Sequence, residues 1–79
     1  MVVYPNPTTN FFSILVSSNS NAPVTIRVYN LLGAMMKIIS DVIPGSIVRM
    51  ADKWENGSYF IQAIQNDQRK TIRAIKANP

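Results

Sequence analysis

The feature that most constrains the fold of this chain is a regular alternation of apolar and polar residues in short runs. In the clearest run, Val24, Ile26 and Val28 are each followed by a polar or amphipathic residue. A period of two places successive side chains on opposite faces of a β-strand, whereas an amphipathic helix needs a period near 3.6. The run therefore predicts a strand with one face in a core and the other toward water.

Similar runs recur at intervals of about 8 to 12 residues, and turn-forming residues separate them. In the second run, Phe12, Ile14 and Val16 share one face, while Ser13 and Ser17 lie on the other. This spacing is typical of a small antiparallel sandwich, so we predict an all-β, immunoglobulin-like β-sandwich of about seven strands. The expected strands cover residues 2–4, 11–17, 23–30, 34–40, 46–50, 58–65 and 68–76.

One run also permits a helix. Met35 and Ile39 are four residues apart, a spacing that would place them on one helical face. Gly33 and the β-branched isoleucines in so short a segment favour a strand instead. We expect a strand and keep the helix as the alternative.

Chain length limits the domain organisation. With 79 residues the chain is near the lower size limit of domains that fold alone, and two domains would each lack a core. Met1 leads directly into the first expected strand, without the basic and apolar segments of a signal peptide. We therefore expect residues 1–79 to be a single domain from a longer protein, with a native chain that begins at Met1 as the alternative.

Composition removes several chemistries. The sequence contains no cysteine and no histidine, which excludes disulfides, thiolate zinc sites and the Ser-His and Cys-His nucleophile pairs. The four carboxylates, at positions 41, 52, 55 and 67, all fall in expected turns or loops. Asp52 and Glu55 share one loop, which leaves a weak calcium site as an alternative to simple solubilising residues. We expect neither a cofactor nor enzymatic activity.

Positive charge is concentrated at one end of the sequence. Half of the eight basic residues lie in the last eleven positions, and the formal net charge is +4. The aromatic residues are not interleaved with these charges in a pattern that could stack bases, so we do not expect nucleic-acid binding. Lysines and arginines on a last, edge strand also protect against edge-to-edge aggregation, which is the alternative to a recognition role.

Two local features carry turn or packing signals. Asn56-Gly57 is a strong turn signal, and its glycine explains the Asn56-Gly57-Ser58 glycosylation sequon without any modification. Trp54, in the preceding loop, is expected to cover one open end of the sandwich as an apolar plug.

Four segments taken together resemble a known family. They are Val3-Tyr4-Pro5-Asn6-Pro7-Thr8, the stretch Val24-Thr25-Ile26-Arg27-Val28-Tyr29-Asn30-Leu31-Leu32-Gly33, then Gly57-Ser58-Tyr59-Phe60-Ile61, and a basic end at Ile75-Lys76. Their order and spacing resemble the C-terminal sorting domain, type A, of the type IX (Por) secretion system. The resemblance covers essentially the whole chain.

The resemblance implies a transport function. Members of this family are β-sandwiches at the end of exported Bacteroidetes proteins; they pass through the periplasm and are recognised by the outer-membrane translocon. A sortase-type peptidase then removes them, and the cargo reaches the cell surface or is secreted. The expected partners are thus the translocon and sortase proteins and an upstream cargo domain in the same polypeptide, with cleavage at or before Val2.

The resemblance also implies which residues matter. The last two strands would be read by the translocon, and the family motif would stiffen the domain entry and its corner. The recognition candidates are Gly57, Tyr59, Lys70, Arg73 and Lys76, and the motif residues are Pro5, Asn6, Pro7 and Gly33.

Two further possibilities remain open from the sequence. The chain could be an accessory immunoglobulin-like or carbohydrate-binding module of a secreted enzyme, with Trp54 and Tyr29 as contacts. An exposed edge strand could also pair with a second copy to form a dimer.

Overall fold

A computed structural model describes residues 1–4, 11–18, 20–50 and 54–77. The described residues form seven β-strands and no helix, as the alternating runs predict. No helix long and apolar enough to cross a membrane occurs in these ranges. The strands are β1 (Val2–Tyr4), β2 (Phe12–Leu15), β3 (Val24–Asn30), β4 (Met35–Val42), β5 (Ile47–Met50), β6 (Gly57–Gln65) and β7 (Gln68–Lys76).

The strands form two antiparallel sheets that pack as a sandwich. One sheet has the order β1-β2-β5 and the other the order β4-β3-β6-β7. Three connections cross between the sheets, namely β2 to β3, β4 to β5 and β5 to β6, which gives the Greek-key pattern of an immunoglobulin-like fold. The all-β sandwich prediction is confirmed, and the helical alternative for residues 34–40 is wrong because that segment pairs with β3 as β4.

The core lies between the sheets and is built from the alternating positions. Phe12, Ile14, Ile26, Val28 and Ile61 are fully buried, so the inward faces predicted for β2 and β3 are confirmed. Burial of such side chains stabilises a fold by about 1.5 to 3 kcal/mol each, before the loss of conformational entropy is considered. Trp54 packs against this core from one end, as the apolar plug predicted from the sequence.

The outer face of β2 differs from the expectation. The alternation predicts Ser13 on the solvent side, yet it is buried. Its strand is the middle one of its sheet, and Ser13 stands between Tyr4 of β1 and Arg49 of β5. Arg49 in turn lies over the ring of Phe11, 5.2 Å from its centroid. A small side chain between larger neighbours loses its solvent contact even on an outward face.

The far end of the sandwich is closed by Gln65. Its Nε2 donates to the carbonyl oxygen of Ala22 at 2.7 Å, and its Oε1 accepts a hydrogen bond from Ser18 Oγ at 2.6 Å. These bonds tie the β6–β7 hairpin to the connection between β2 and β3. The turn end of the last two strands is thereby anchored to the segment that links the two sheets.

Candidate recognition surface

A groove of about 620 Å³ at one end of the sandwich joins two segments that are far apart in the sequence. Asn30, at the end of β3, pairs with Tyr59 of β6, so the register brings the Tyr-Asn-Leu-Leu-Gly corner beside the Gly-x-Tyr segment. Two parts of the family pattern thus share one surface. The groove is lined by Asn30, Leu31, Leu32, Met36, Trp54, Glu55, Asn56, Gly57, Ser58 and Tyr59.

The corner between β3 and β4 is held by Asn30. Its Oδ1 accepts hydrogen bonds from the backbone N–H groups of Leu32 and Ala34, at 3.0 and 2.9 Å. Its own backbone bonds to Ala34 and Gly33 at 2.9 and 3.0 Å, and Gly33 has a φ of 86°, which only glycine adopts without strain. The corner is therefore fixed, although Leu32 is 93% exposed.

Tyr59 forms the floor of the groove. Its ring is buried and lies 5.0 Å from the ring of Trp54, and its hydroxyl donates to the carbonyl oxygen of Glu55 at 2.6 Å. Burial, with a smaller contribution from the Glu55 carboxylate, raises the pKa of Tyr59 above its ordinary value of 10.0. Tyr59 therefore holds the loop before β6 rather than presenting its hydroxyl to a partner.

Gly57 begins β6 at the mouth of the groove. Its φ is 153°, and an added Cβ would meet no heavy atom, so the requirement for glycine is conformational and not steric. Gly57 pairs with Lys76, the last residue of β7. Gly57, Tyr59 and Lys76 thus lie together at one end of the hairpin.

Lys76 is only 4% exposed. Every second residue of β7 points to the same side of the sheet, and Ile72 and Ala74 face the other sheet. Lys76 is the next residue in this series, so its side chain points inward as well. Lys76, one of the recognition candidates, therefore presents little of its side chain to a partner. Its side chain belongs to the end of the core.

Arg73 and Lys70 occupy different surroundings. Arg73 is exposed on the outward side of β7 opposite Phe60, and its Nη2 donates to Ser58 Oγ at 3.0 Å. Lys70 is also exposed but pairs with Ala63 near the hairpin turn, where it lines a second groove of about 490 Å³. The five recognition candidates therefore do not form one cluster.

Several expectations fall outside the described residues. Pro5, Asn6 and Pro7 of the family motif lie there, and so does Asp52 of the possible calcium site. Within the ranges that the structure describes, no group of three or more carboxylates could hold a metal ion.

The aromatic contacts of the carbohydrate-binding alternative lie on different surfaces. Trp54 is half-buried against the core and Tyr59. Tyr29 pairs with Phe60 and faces away from the core, as the neighbour of the buried Val28. The two side chains do not form one platform for a sugar ring.

Asn30 and Glu55 line the groove, in roles that sequence reasoning did not assign to them. An asparagine three residues before a glycine is a local turn signal and could have identified Asn30. Glu55 contributes through its backbone carbonyl, for which a sequence carries no signal.

Comparison with known proteins gives one clear match. The comparison with curated proteins found no match to the chain. The family model of the secretion system C-terminal sorting domain matches residues 2–77, which include every motif that carries the resemblance described above. The chain therefore belongs to the C-terminal sorting domain family of the type IX secretion system, whose members direct export to the cell surface or secretion.

Proposed function

We propose that this domain is read in its folded state by the outer-membrane translocon of the type IX system, after its cargo has reached the periplasm. A sortase-type peptidase then separates the domain from the cargo upstream of β1. The domain itself catalyses no reaction. The observation that carries this proposal is the position of β7, which is an edge strand of its sheet among the described strands, in a chain that belongs to a sorting family.

The backbone of β7 is suited to pairing with a partner strand. All nine of its residues pair with β6 without a register shift, whereas β4, at the opposite edge, has two shifts against β3 and a positive φ at Asp41. Irregularities of this kind protect an edge against pairing, and β7 has none in its ladder. Of the two edges of this sheet, β7 is therefore the better template for β-strand addition.

The hairpin turn determines which groups face a partner. Gln65 and Gln68 flank a two-residue turn and form a hydrogen-bonded pair, so every second residue of β7 directs its N–H and C=O toward β6. The residues between them, such as Arg69 and Thr71, direct these groups away from β6. A partner strand would bond to this far edge of β7.

The positive charges of β7 favour its encounter with an acidic partner. Arg69, Lys70 and Arg73 are exposed, and β7 contains no carboxylate. Such a strand is drawn toward an acidic surface, which raises the rate of encounter more than the final affinity. Lys76 contributes little to this attraction because it is buried.

Truncation tests the sorting role. A reporter that carries a secretory leader and ends in this domain is expected at the cell surface, and removal of residues 72–79 should leave it in the periplasm. Fractionation and protease accessibility measure the two pools. Normal surface export of the truncated fusion would falsify the sorting role.

A proline substitution tests the edge without removing the strand. Thr71→Pro deletes an N–H that faces away from β6, a position where an edge strand tolerates proline. We expect export to fall while the melting temperature changes by only a few degrees, about 1 kcal/mol of stability. The control, Thr71→Ala, keeps the N–H and should be exported normally. Equal export of both variants would show that the edge does not pair.

A further inference from the structure

The four-stranded sheet has a second face, on which none of the described strands packs. We define this outer face by three rows of paired residues across β3, β6 and β7, all on the side away from the core. The rows are Tyr29, Phe60 and Arg73; then Arg27, Gln62 and Thr71; then Thr25, Ile64 and Arg69. On the β4 side, Met35 pairs with Tyr29 and Ile38 with Arg27.

Apolar and aromatic side chains occupy the middle of this face. Tyr29, Phe60 and Ile64 are half-buried among their neighbours, and Met35 and Ile38 are about half exposed at its border. Exposed apolar residues grouped on one side of a small domain mark an interaction surface more often than residues scattered singly.

The charged residues on this face are all arginines. Arg27, Arg69 and Arg73 stand on it, and no lysine or carboxylate occupies any position of the three rows. Lys70 and Lys76 have the opposite parity on β7, and Lys37 pairs with the buried Val28. Protein interfaces are enriched in Tyr, Phe, Met and Arg and depleted of Lys, Asp and Glu, which is the composition found here.

Arg27 indicates the chemistry of the partner. It lies in the middle row between Ile38 and Gln62, and its buried Nε has no hydrogen-bond partner in the part of the chain that the structure describes. A guanidinium group in apolar surroundings binds a planar carboxylate through paired hydrogen bonds. Together with the exposed Arg69 and Arg73, Arg27 gives this face three guanidinium groups, which complement a surface that carries carboxylates.

Two other occupants fit less well. A second copy of the same face would place arginines against arginines, and like charges at an interface are costly. A membrane would require apolar side chains that stand clear of the surface, whereas Tyr29, Phe60 and Ile64 lie half-buried within the pleated face. A protein surface is therefore the better match for this face.

We propose that the outer face docks an apolar protein surface bearing Asp and Glu residues. The proposal rests on the sorting role and names the kind of partner that reads the domain. Strand addition at β7 would supply affinity through the backbone, and the outer face would supply selectivity through Arg27, Arg69 and Arg73.

Adjacent residues of β7 offer a matched charge test. Arg69→Glu and Lys70→Glu make the same change of two charges at neighbouring exposed positions, but only Arg69 lies on the outer face. In the full-length reporter fusion we expect Arg69→Glu to lower surface export about tenfold or more. Lys70→Glu should lower it less than about twofold, because it weakens only long-range attraction.

An apolar pair provides the second arm. Ile38, 48% exposed, borders the outer face, whereas Ile47, 56% exposed, lies on the opposite sheet. Ile38→Thr should reduce export, and Ile47→Thr should not. A photoreactive amino acid placed at position 38 should crosslink to an acidic segment of a partner, which peptide mass spectrometry identifies. The same amino acid at position 47 should give no crosslink. Arg69→Glu should abolish the crosslink from position 38.

The outcomes separate the two proposals. If removal of residues 72–79 leaves export intact, the sorting role itself fails. If truncation blocks export but Arg69→Glu and Lys70→Glu behave alike, or position 47 crosslinks as well as position 38, the outer-face assignment is wrong. Binding to phosphatidylglycerol vesicles that is lost with Arg69→Glu but kept with Lys70→Glu would replace the protein partner with a membrane surface.

Discussion

At the scale of single residues, Lys76 is buried although lysine is usually exposed, because its place in the strand directs its side chain inward. Its burial predicts that Lys76→Glu lowers the free energy of unfolding by about 3 kcal/mol, because a carboxylate would then be enclosed at the end of the core. Lys70→Glu, at an exposed position of the same strand, should change it by less than about 0.5 kcal/mol. Urea unfolding of the purified domain measures both. Similar stabilities would mean that Lys76 reaches solvent.

Tyr59 supplies a pH-dependent contribution at the same scale. Burial and the nearby Glu55 raise its folded pKa above the unfolded value of 10.0, so the folded state retains the phenolic proton more strongly. This contribution is fully present below pH 10 and is lost as the pH rises from there through the folded pKa.

Tyr59→Phe tests that linkage. At pH 7 the variant should be less stable by about 1 kcal/mol, since the hydrogen bond to the Glu55 carbonyl is lost. At pH values above 10.0 the difference between the two proteins should shrink, because only the parent loses stability by deprotonation. Urea unfolding at both pH values gives the two differences. A gap that widens with pH would contradict the assignment.

At the scale of elements, the corner between β3 and β4 depends on one side chain. Asn30→Ala removes the acceptor of two backbone N–H groups, and we expect a loss of about 1 to 2 kcal/mol. Asn56→Ala, in the loop across the groove, is the matched control with little expected effect. Faster hydrogen exchange at the Leu32 and Ala34 amides should accompany the loss. Unchanged exchange there would show that the corner is held by Gly33 and the strand ladder alone.

The elements also show how far sequence reasoning extends. The strands were predictable because Val24, Ile26 and Val28 alternate with polar residues and turn residues interrupt the runs. The contact between Asn30 and Tyr59 was not, because the register of two strands from distant segments depends on the whole sheet. The inward position of Lys76 follows only once Ile72 and Ala74 are known to face the core.

At the scale of the whole molecule, the chain has more apolar residues than its core can hold. Hydrophobic residues make up 47% of the sequence, and large ones remain exposed on both sheets. A small domain buries a limited fraction of its surface, so this excess stays on the outside. The net charge of +4 opposes association of the isolated domain through these apolar residues.

This balance predicts salt-dependent pairing of the domain through β7. If two copies paired through β7, the positive side chains of Arg69, Lys70 and Arg73 on one copy would lie close to those on the other. Because like charges repel, we expect a monomer at about 0.05 M salt. Near about 1 M salt the repulsion is screened within about 3 Å, and a dimer should form. Sedimentation velocity distinguishes the two states. Thr71→Pro should abolish the dimer because it blocks the edge of β7, whereas Ile38→Thr should leave the dimer intact. If instead Ile38→Thr abolished the dimer and Thr71→Pro did not, the two copies would associate through the outer face and not through β7.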